Sequence, residues 1–336
     1  MELTGVAQSF PPGLESIYAH IEKLSAHFCY CQVRDANLNT CVPEAFYLRQ
    51  FVFDILAEEG FTPENCPPDE SELLYSAAMS AHPEAEAIFS LMQRCYRSAP
   101  DFLAGKRTGV SVVFPRGDMS LWERVHRDDA VMSIYSSMIP AALTQLLGPG
   151  SRVLEVGAGV GAVLRKCLPV LRQRDTREFW FTDLGRLFVQ RAEQDFSGEN
   201  LLRFAVIDLD RPLASQGLEP GSFDLVMGVN VLHSVRDLEF SLRELRSMLR
   251  EEGKVILGEG SPPRQGRRWR LDFVFAFLRG WWDVSLDPVL RPRPGFLFPD
   301  EWTRLLSHCG YSSALTIPGE AWFHGDCRGG LLVASK

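Results

Sequence analysis

From Arg152 onward, short β-rich runs alternate with helical repeats, and that alternation restricts the chain to few architectures. Arg152 to Val156, Phe179 to Thr182, Leu202 to Ile207, Phe223 to Val229 and Lys254 to Gly258 read as five strands. Helices over Ala162 to Leu171, Leu187 to Phe196 and about Leu238 to Leu249 separate them, and Glu252-Gly253 turns the chain into the fifth strand. Strands and helices in this order form a parallel sheet covered on both faces. Asp300 to Cys309 continues as a helix and Gly329 to Ser335 as a last strand. The expected fold class is α/β.

Residues 1 to about 115 read differently. Leu14 to Phe28 and Glu44 to Glu58 place apolar residues at helical spacing, and the second run stops at Gly60. Pro63 to Asp69 is a Pro-rich turn, with further helices over Glu72 to Met79 and Ala85 to Ser98. The expected division is a mainly helical region over 1–115 and an α/β domain over 116–336.

Composition narrows the partners. A formal net charge of −8 disfavours nucleic acid, although Arg264-Gln265-Gly266-Arg267-Arg268-Trp269-Arg270 is a local basic run. That run is either a solvated loop or a contact for an acidic carrier. Cys29, Cys31, Cys41, Cys66, Cys95, Cys167, Cys309 and Cys327 include no Cys-x-x-Cys pair and no zinc-like spacing with His, so no metal is expected. Met1-Glu2-Leu3-Thr4 lacks a signal-peptide pattern, and no apolar stretch reaches membrane length, so a cytoplasmic location away from membranes is expected.

The first strand runs into Glu155-Val156-Gly157-Ala158-Gly159-Val160-Gly161, a Gly-x-Gly-x-Gly turn that opens a helix. Glycines permit a tight turn and close approach of a ligand, and the helix start presents unpaired N–H groups. Alone, this turn also suits NAD or a purely structural role. Asp183, followed by Leu184, ends the second strand, and Asp208, followed by Leu209, ends the third. Asp183 can accept ribose hydroxyl protons and Asp208 an adenine amino proton; each also reads as a cap or turn residue. Together the three sites converge on one crevice.

The run from Val153 to Glu259 resembles class I, Rossmann-like S-adenosylmethionine-dependent methyltransferases. Within them it is similar to the C-methyltransferase domains of polyketide synthases. The resemblance rests on Phe181-Thr182-Asp183-Leu184, Gly221-Ser222-Phe223-Asp224-Leu225-Val226, Asn230-Val231-Leu232-His233-Ser234-Val235-Arg236-Asp237-Leu238, Leu242-Arg243-Glu244-Leu245-Arg246 and Gly253-Lys254-Val255-Ile256-Leu257-Gly258-Glu259. Gly280-Trp281-Trp282 and Asp300-Glu301-Trp302 add to it, and residues 1–115 resemble that family's N-terminal lid, or acceptor-binding region, in general character.

The resemblance implies S-adenosylmethionine held by Glu155, Gly157, Ala158, Gly159, Gly161, Asp183, Leu184, Asp208, Leu209 and Asn230. It implies His233 as the base and Glu259 as its partner, with Tyr135 as a further site residue touching cofactor or acceptor. A carboxylate beside an imidazole fixes its tautomer and raises its basicity, which suits removal of a C–H proton flanked by two carbonyls. Trp281 and Trp282 read as core or pocket wall. The activity expected is methyl transfer to the α-carbon of a β-ketoacyl chain, with an acyl carrier protein or polyketide synthase as partner. An O-methyltransferase of polyketide-like metabolites and a non-catalytic S-adenosylmethionine-binding scaffold are the alternatives. Met1 to Lys336 carries no synthase, reductase or carrier motif, so a freestanding enzyme is expected, acting in trans on a carrier-bound chain or on a released small molecule.

Overall fold

The structure is a computed structural model that describes residues 3, 5–6, 13–35, 38, 40–62, 64–65, 67–263, 267–319, 322 and 328–336. Met1, Glu2, Thr4, Pro63, Cys66, Arg264, Gln265, Gly266 and Cys327 lie outside the described residues. The chain forms two compact units, one spanning Pro11–Ser133 and Pro263–Trp282, the other Met1–Phe10, Ile134–Pro262 and Asp283–Lys336.

The first unit is helical: α1 (Leu14–Asp35), α2 (Phe46–Glu59), α3 (Ser71–Ala81), α4 (Glu86–Leu103), α5 (Gly109–Val113) and α6 (Ser120–Arg127). Helix α2 buries Leu48, Phe51, Val52, Ile55 and Leu56 and ends at Gly60, whose φ of 71° makes a left-handed cap. The boundary expected near residue 115 therefore moves to 133/134, because α6 packs on α4. Residues 263–282 also belong to this unit. Their aromatic rings explain why: Phe273 packs on Phe28 and Phe51, and Phe277 on Phe102.

The second unit is a seven-stranded sheet in the order β3-β2-β1-β4-β5-β7-β6. Its strands are β1 (Arg152–Val156), β2 (Glu178–Asp183), β3 (Leu202–Val206), β4 (Phe223–Val229), β5 (Leu249–Gly260), β6 (Ser312–Ile317) and β7 (Gly329–Ser335). The first five pair in parallel, and β7 runs antiparallel between β5 and β6. The helices of this unit are α7 (Ile134–Leu146), α8 (Ala162–Gln173), α9 (Arg186–Asp195), α10 (Leu238–Met248) and α11 (Pro299–His308). Val153 to Val156 are buried, the near-continuous apolar pattern of a strand covered on both faces. Val226, Leu242, Leu245, Trp302 and Leu305 share that core, each contributing roughly 1.5–3 kcal/mol.

Two sequence readings change. Strand β5 begins at Leu249, and Glu252-Gly253 lies within it, where the register against β4 slips between Phe223 and Leu225. Strand β6 carries too little apolar pattern to be read, since Ser312, Ser313 and Ala314 face solvent at the sheet edge.

Candidate active site

The strand order reverses between β1 and β4, and a parallel sheet offers its ligand crevice at that point, beyond the carboxyl ends of the strands. The glycine turn leaves β1 there. Gly157 has φ 59°, and a Cβ built on it would lie 2.1 Å from Val231 Cγ2, in the loop after β4. Only glycine meets both demands. Asp183 at the end of β2 ties the turn down: one carboxylate oxygen accepts from Gly159 N–H at 2.9 Å and the other from Gly185 N–H at 2.7 Å. Ala158 N–H donates to Thr182 O, and the Thr182 hydroxyl donates to Glu155 O.

Two buried acceptors remain beside this turn. Glu155 Oε2 and Asn230 Oδ1 have no hydrogen-bond partner. Asn230 also adopts a positive φ of 54°, which Asn tolerates better than most residues. Burial raises the Glu155 carboxyl well above its ordinary range, and the Asp183 charge adds to the rise; burial raises Asp183 as well. Such acceptors are costly unless a donor-bearing ligand completes them. Asp208 sits two residues beyond β3, half-buried, with its main chain joined to Gln216. Leu184 is exposed next to Asp183, whereas Leu209 is buried.

His233 stands on a short 3₁₀ turn, Leu232–Ser234, directly after β4, and Glu259 lies near the end of β5. The imidazole Nδ1 is 2.6 Å from Glu259 Oε2, with His233 6% and Glu259 0% exposed. A carboxylate only accepts, so Nδ1 carries the proton and the lone pair lies on Nε2. Glu259 Oε1 accepts from Leu232 N–H at 2.9 Å and Val231 N–H at 3.3 Å. The one carboxylate thus fixes both the tautomer and the backbone of the histidine turn. The Phe296 ring packs edge-on to the imidazole at 4.6 Å.

A methyltransferase-domain family model matches residues 154–255, the span from β1 into β5. The CurJ carbon methyltransferase superposes with a TM-score of 0.86 at 26% identity, over 99% of this chain and 96% of that one. The chain is a class I S-adenosylmethionine-dependent methyltransferase. It resembles the C-methyltransferase domains of polyketide synthases: polyketide synthase PksM of Bacillus subtilis is 28% identical over 250 residues, 71% of this chain. The methyltransferase spans only 6% of that synthase's length. The trans-methyltransferase CalH, in a complex with SAH, shares the fold, with a TM-score of 0.75 at 19% identity over 96% of this chain and 91% of that one.

The methyltransferase's own residues fit its cofactor. The orphaned oxygens of Glu155 and Asn230 suit the ammonium and hydroxyl donors of S-adenosylmethionine, and Gly159, with no side chain and only Gly157 O within 4 Å of where a Cβ would lie, lets a ligand approach the backbone. Two residues that sequence reasoning passed over, Phe296 and Arg291, complete the surroundings of His233. Arg291 is 3% exposed and donates to the carbonyls of His233, Val235 and Arg236. Both lie in an irregular stretch, Arg291-Pro292-Arg293-Pro294-Gly295-Phe296, where no period marks them.

Other sequence candidates have structural partners. The Tyr135 hydroxyl donates to Arg328 O at 3.0 Å and packs beside Gly329, buttressing the start of β7. Trp281 donates to Asp272 and Trp282 to Ala276 O. The described arginines of the basic run are paired within the helical unit: Arg267 with Glu59 at 3.1 Å, Arg268 with Asp54 at 2.9 Å and Arg270 with Glu58 at 3.2 Å. The cluster of His27, Cys31 and Asp69 is likewise occupied: Glu70 N–H donates to His27 Nε2, and Asp69 accepts from Ser71 and Arg34. Among the described residues no helix is long and apolar enough to cross a membrane.

Proposed function

We propose that this methyltransferase moves a methyl group to the α-carbon of a β-ketoacyl thioester borne by an acyl carrier protein of polyketide assembly. The observation that carries the reading is the buried 2.6 Å contact between His233 Nδ1 and Glu259. It is supported by the carbon methyltransferase CurJ and by the synthase relatives.

Bound S-adenosylmethionine supplies an electrophilic methyl group on a sulfonium. Asp183 would hold the ribose hydroxyls and Asp208 the adenine amino group, with Leu184 and Leu209 beside them. Glu155 and Asn230 would receive donors of the methionine end, and Gly157, Ala158, Gly159 and Gly161 would give the backbone cradle. Tyr135 walls the acceptor side. His233 Nε2 takes the α-proton, and the electron pair of the broken C–H bond forms the new C–C bond as the S–CH₃ bond breaks. The electrons of the S–CH₃ bond would stay with sulfur, leaving S-adenosylhomocysteine as the by-product. Glu259, which accepts from Nδ1, stabilises the imidazolium while it holds the extra proton.

The substitution His233→Ala tests this with methyl-labelled donor and a β-ketoacyl N-acetylcysteamine thioester. Turnover falls to background, S-adenosylhomocysteine affinity by calorimetry stays within about twofold, and mass spectrometry of the wild-type product finds the label on carbon. Near wild-type turnover by the variant overturns the base assignment, and label on oxygen overturns the acceptor.

A further inference from the structure

We infer that Arg291 is a positioning residue for the base, gripping the backbone of the His233 turn from the side opposite Glu259. The inference rests on the assignment of His233 as the base.

The turn Leu232–Ser234 is too short to satisfy its own ends. At its start, Val231 and Leu232 donate N–H to Glu259 Oε1. At its finish, Arg291 Nη2 donates to His233 O at 2.7 Å, and Nη1 donates to Val235 O at 2.7 Å and Arg236 O at 3.2 Å. An anion thus sits at the N–H end and a cation at the C=O end, each matching the partial charge of the turn.

The guanidinium is an unusual choice for such a job. It is almost completely buried, and the nearby carboxylates of Asp210, Glu259 and Asp237 act on it only at longer range. Burial lowers its pKa to about 10, still far enough above neutrality to keep the charge. A buried cation held by carbonyls rather than by a carboxylate is costly unless its geometry is needed. Only a planar fork with several fixed donors reaches three carbonyls at once, and a lysine ammonium cannot reproduce it. Arg291 is itself fixed, since Asp287 and Arg291 exchange both main-chain hydrogen bonds and Ser285 N–H reaches Arg236 O. The imidazole therefore projects from a turn held at its start, at its finish and through its own ring.

The test compares Arg291→Lys, Arg291→Met and His233→Ala, each with thermal melting, S-adenosylhomocysteine calorimetry, ¹⁵N histidine NMR and turnover of the β-ketoacyl N-acetylcysteamine thioester. Displacing the base by a fraction of an ångström lowers kcat for Arg291→Lys about 10- to 100-fold, while KM and cofactor affinity change less than about threefold. The ¹⁵N shifts of His233 move from their wild-type positions as the ring is displaced against Glu259. Arg291→Lys retains a cation and a fold suited to these measurements even where Arg291→Met does not. Wild-type kcat and an unchanged His233 spectrum in Arg291→Lys, with His233→Ala inactive, overturn the role of Arg291 alone. An active His233→Ala instead overturns the base assignment on which it stands.

Discussion

Replacing Glu259 by Gln changes one atom's chemistry with almost no change of shape, and the surrounding donors dictate the response. The carboxylate serves three of them: two main-chain N–H groups at Oε1 and the His233 Nδ1–H at Oε2. A glutamine must turn its carbonyl toward Val231 and Leu232, because its amide group would otherwise face two donors. The NH₂ then meets His233 Nδ1, and the imidazole answers by moving its proton to Nε2. That tautomer points a donor, not a lone pair, into the site. Returning to the reactive tautomer forfeits the neutral bond from the glutamine NH₂ to Nδ1, about 0.5–1.5 kcal/mol, and leaves a buried donor unsatisfied, about 1–3 kcal/mol. The sum of roughly 1.5–4.5 kcal/mol predicts a fall in kcat of about 10- to 2,000-fold. The assay is label transfer to the β-ketoacyl thioester, beside ¹⁵N spectra of the histidine and calorimetry with S-adenosylhomocysteine. A Glu259→Gln enzyme within about threefold of wild-type kcat, or one retaining the Nδ1–H tautomer, refutes the reasoning.

Gly157→Ala places a methyl 2.1 Å from Val231 Cγ2 at a φ of 59°, so cofactor affinity falls at least about tenfold and the melting temperature drops. Adding Val231→Ala removes the Cγ contacts but keeps a Cβ 2.6 Å away and the left-handed strain of about 1–2 kcal/mol, so the double variant recovers only part of the melting temperature; no recovery shows that the collision is not the cause. In the helical unit, burial pushes the Asp272 carboxyl up from 3.8 to about 7. A raised carboxyl binds its proton more tightly when folded, so its stabilising effect is complete below about pH 4 and lost as pH rises through about 7. Asp272→Asn keeps an acceptor for Trp281 and replaces the oxygen that accepts from the Tyr47 hydroxyl with an NH₂ that donates to it, and so flattens the fall in melting temperature across that window; an unchanged pH profile contradicts the buried titration.

The amino-acid order alone determined the alternation of five strands with helices, the glycine turn at Gly157, the carboxylates at the end of β2 and just beyond β3, and the two residues of the hydrogen-bonded pair His233 and Glu259. These features are local: a glycine turn needs its glycines in sequence, and a strand end announces itself where an apolar run stops. The division into units was not local. Residues 263–282 join the helical unit because their rings find Phe28, Phe51 and Phe102, far away in the chain. The basic run looked available in sequence, and only folding brought Asp54, Glu58 and Glu59 to its described arginines, Arg267, Arg268 and Arg270. Arg291 and Phe296 were silent for the same reason, since a side chain in an irregular segment reveals its purpose only through what it touches. Sequence wrote the His233 and Glu259 side chains; packing of β4, β5 and the Arg291 segment decided the tautomer, because hydrogen-bond direction depends on angstrom-scale distances that no spacing along a chain encodes.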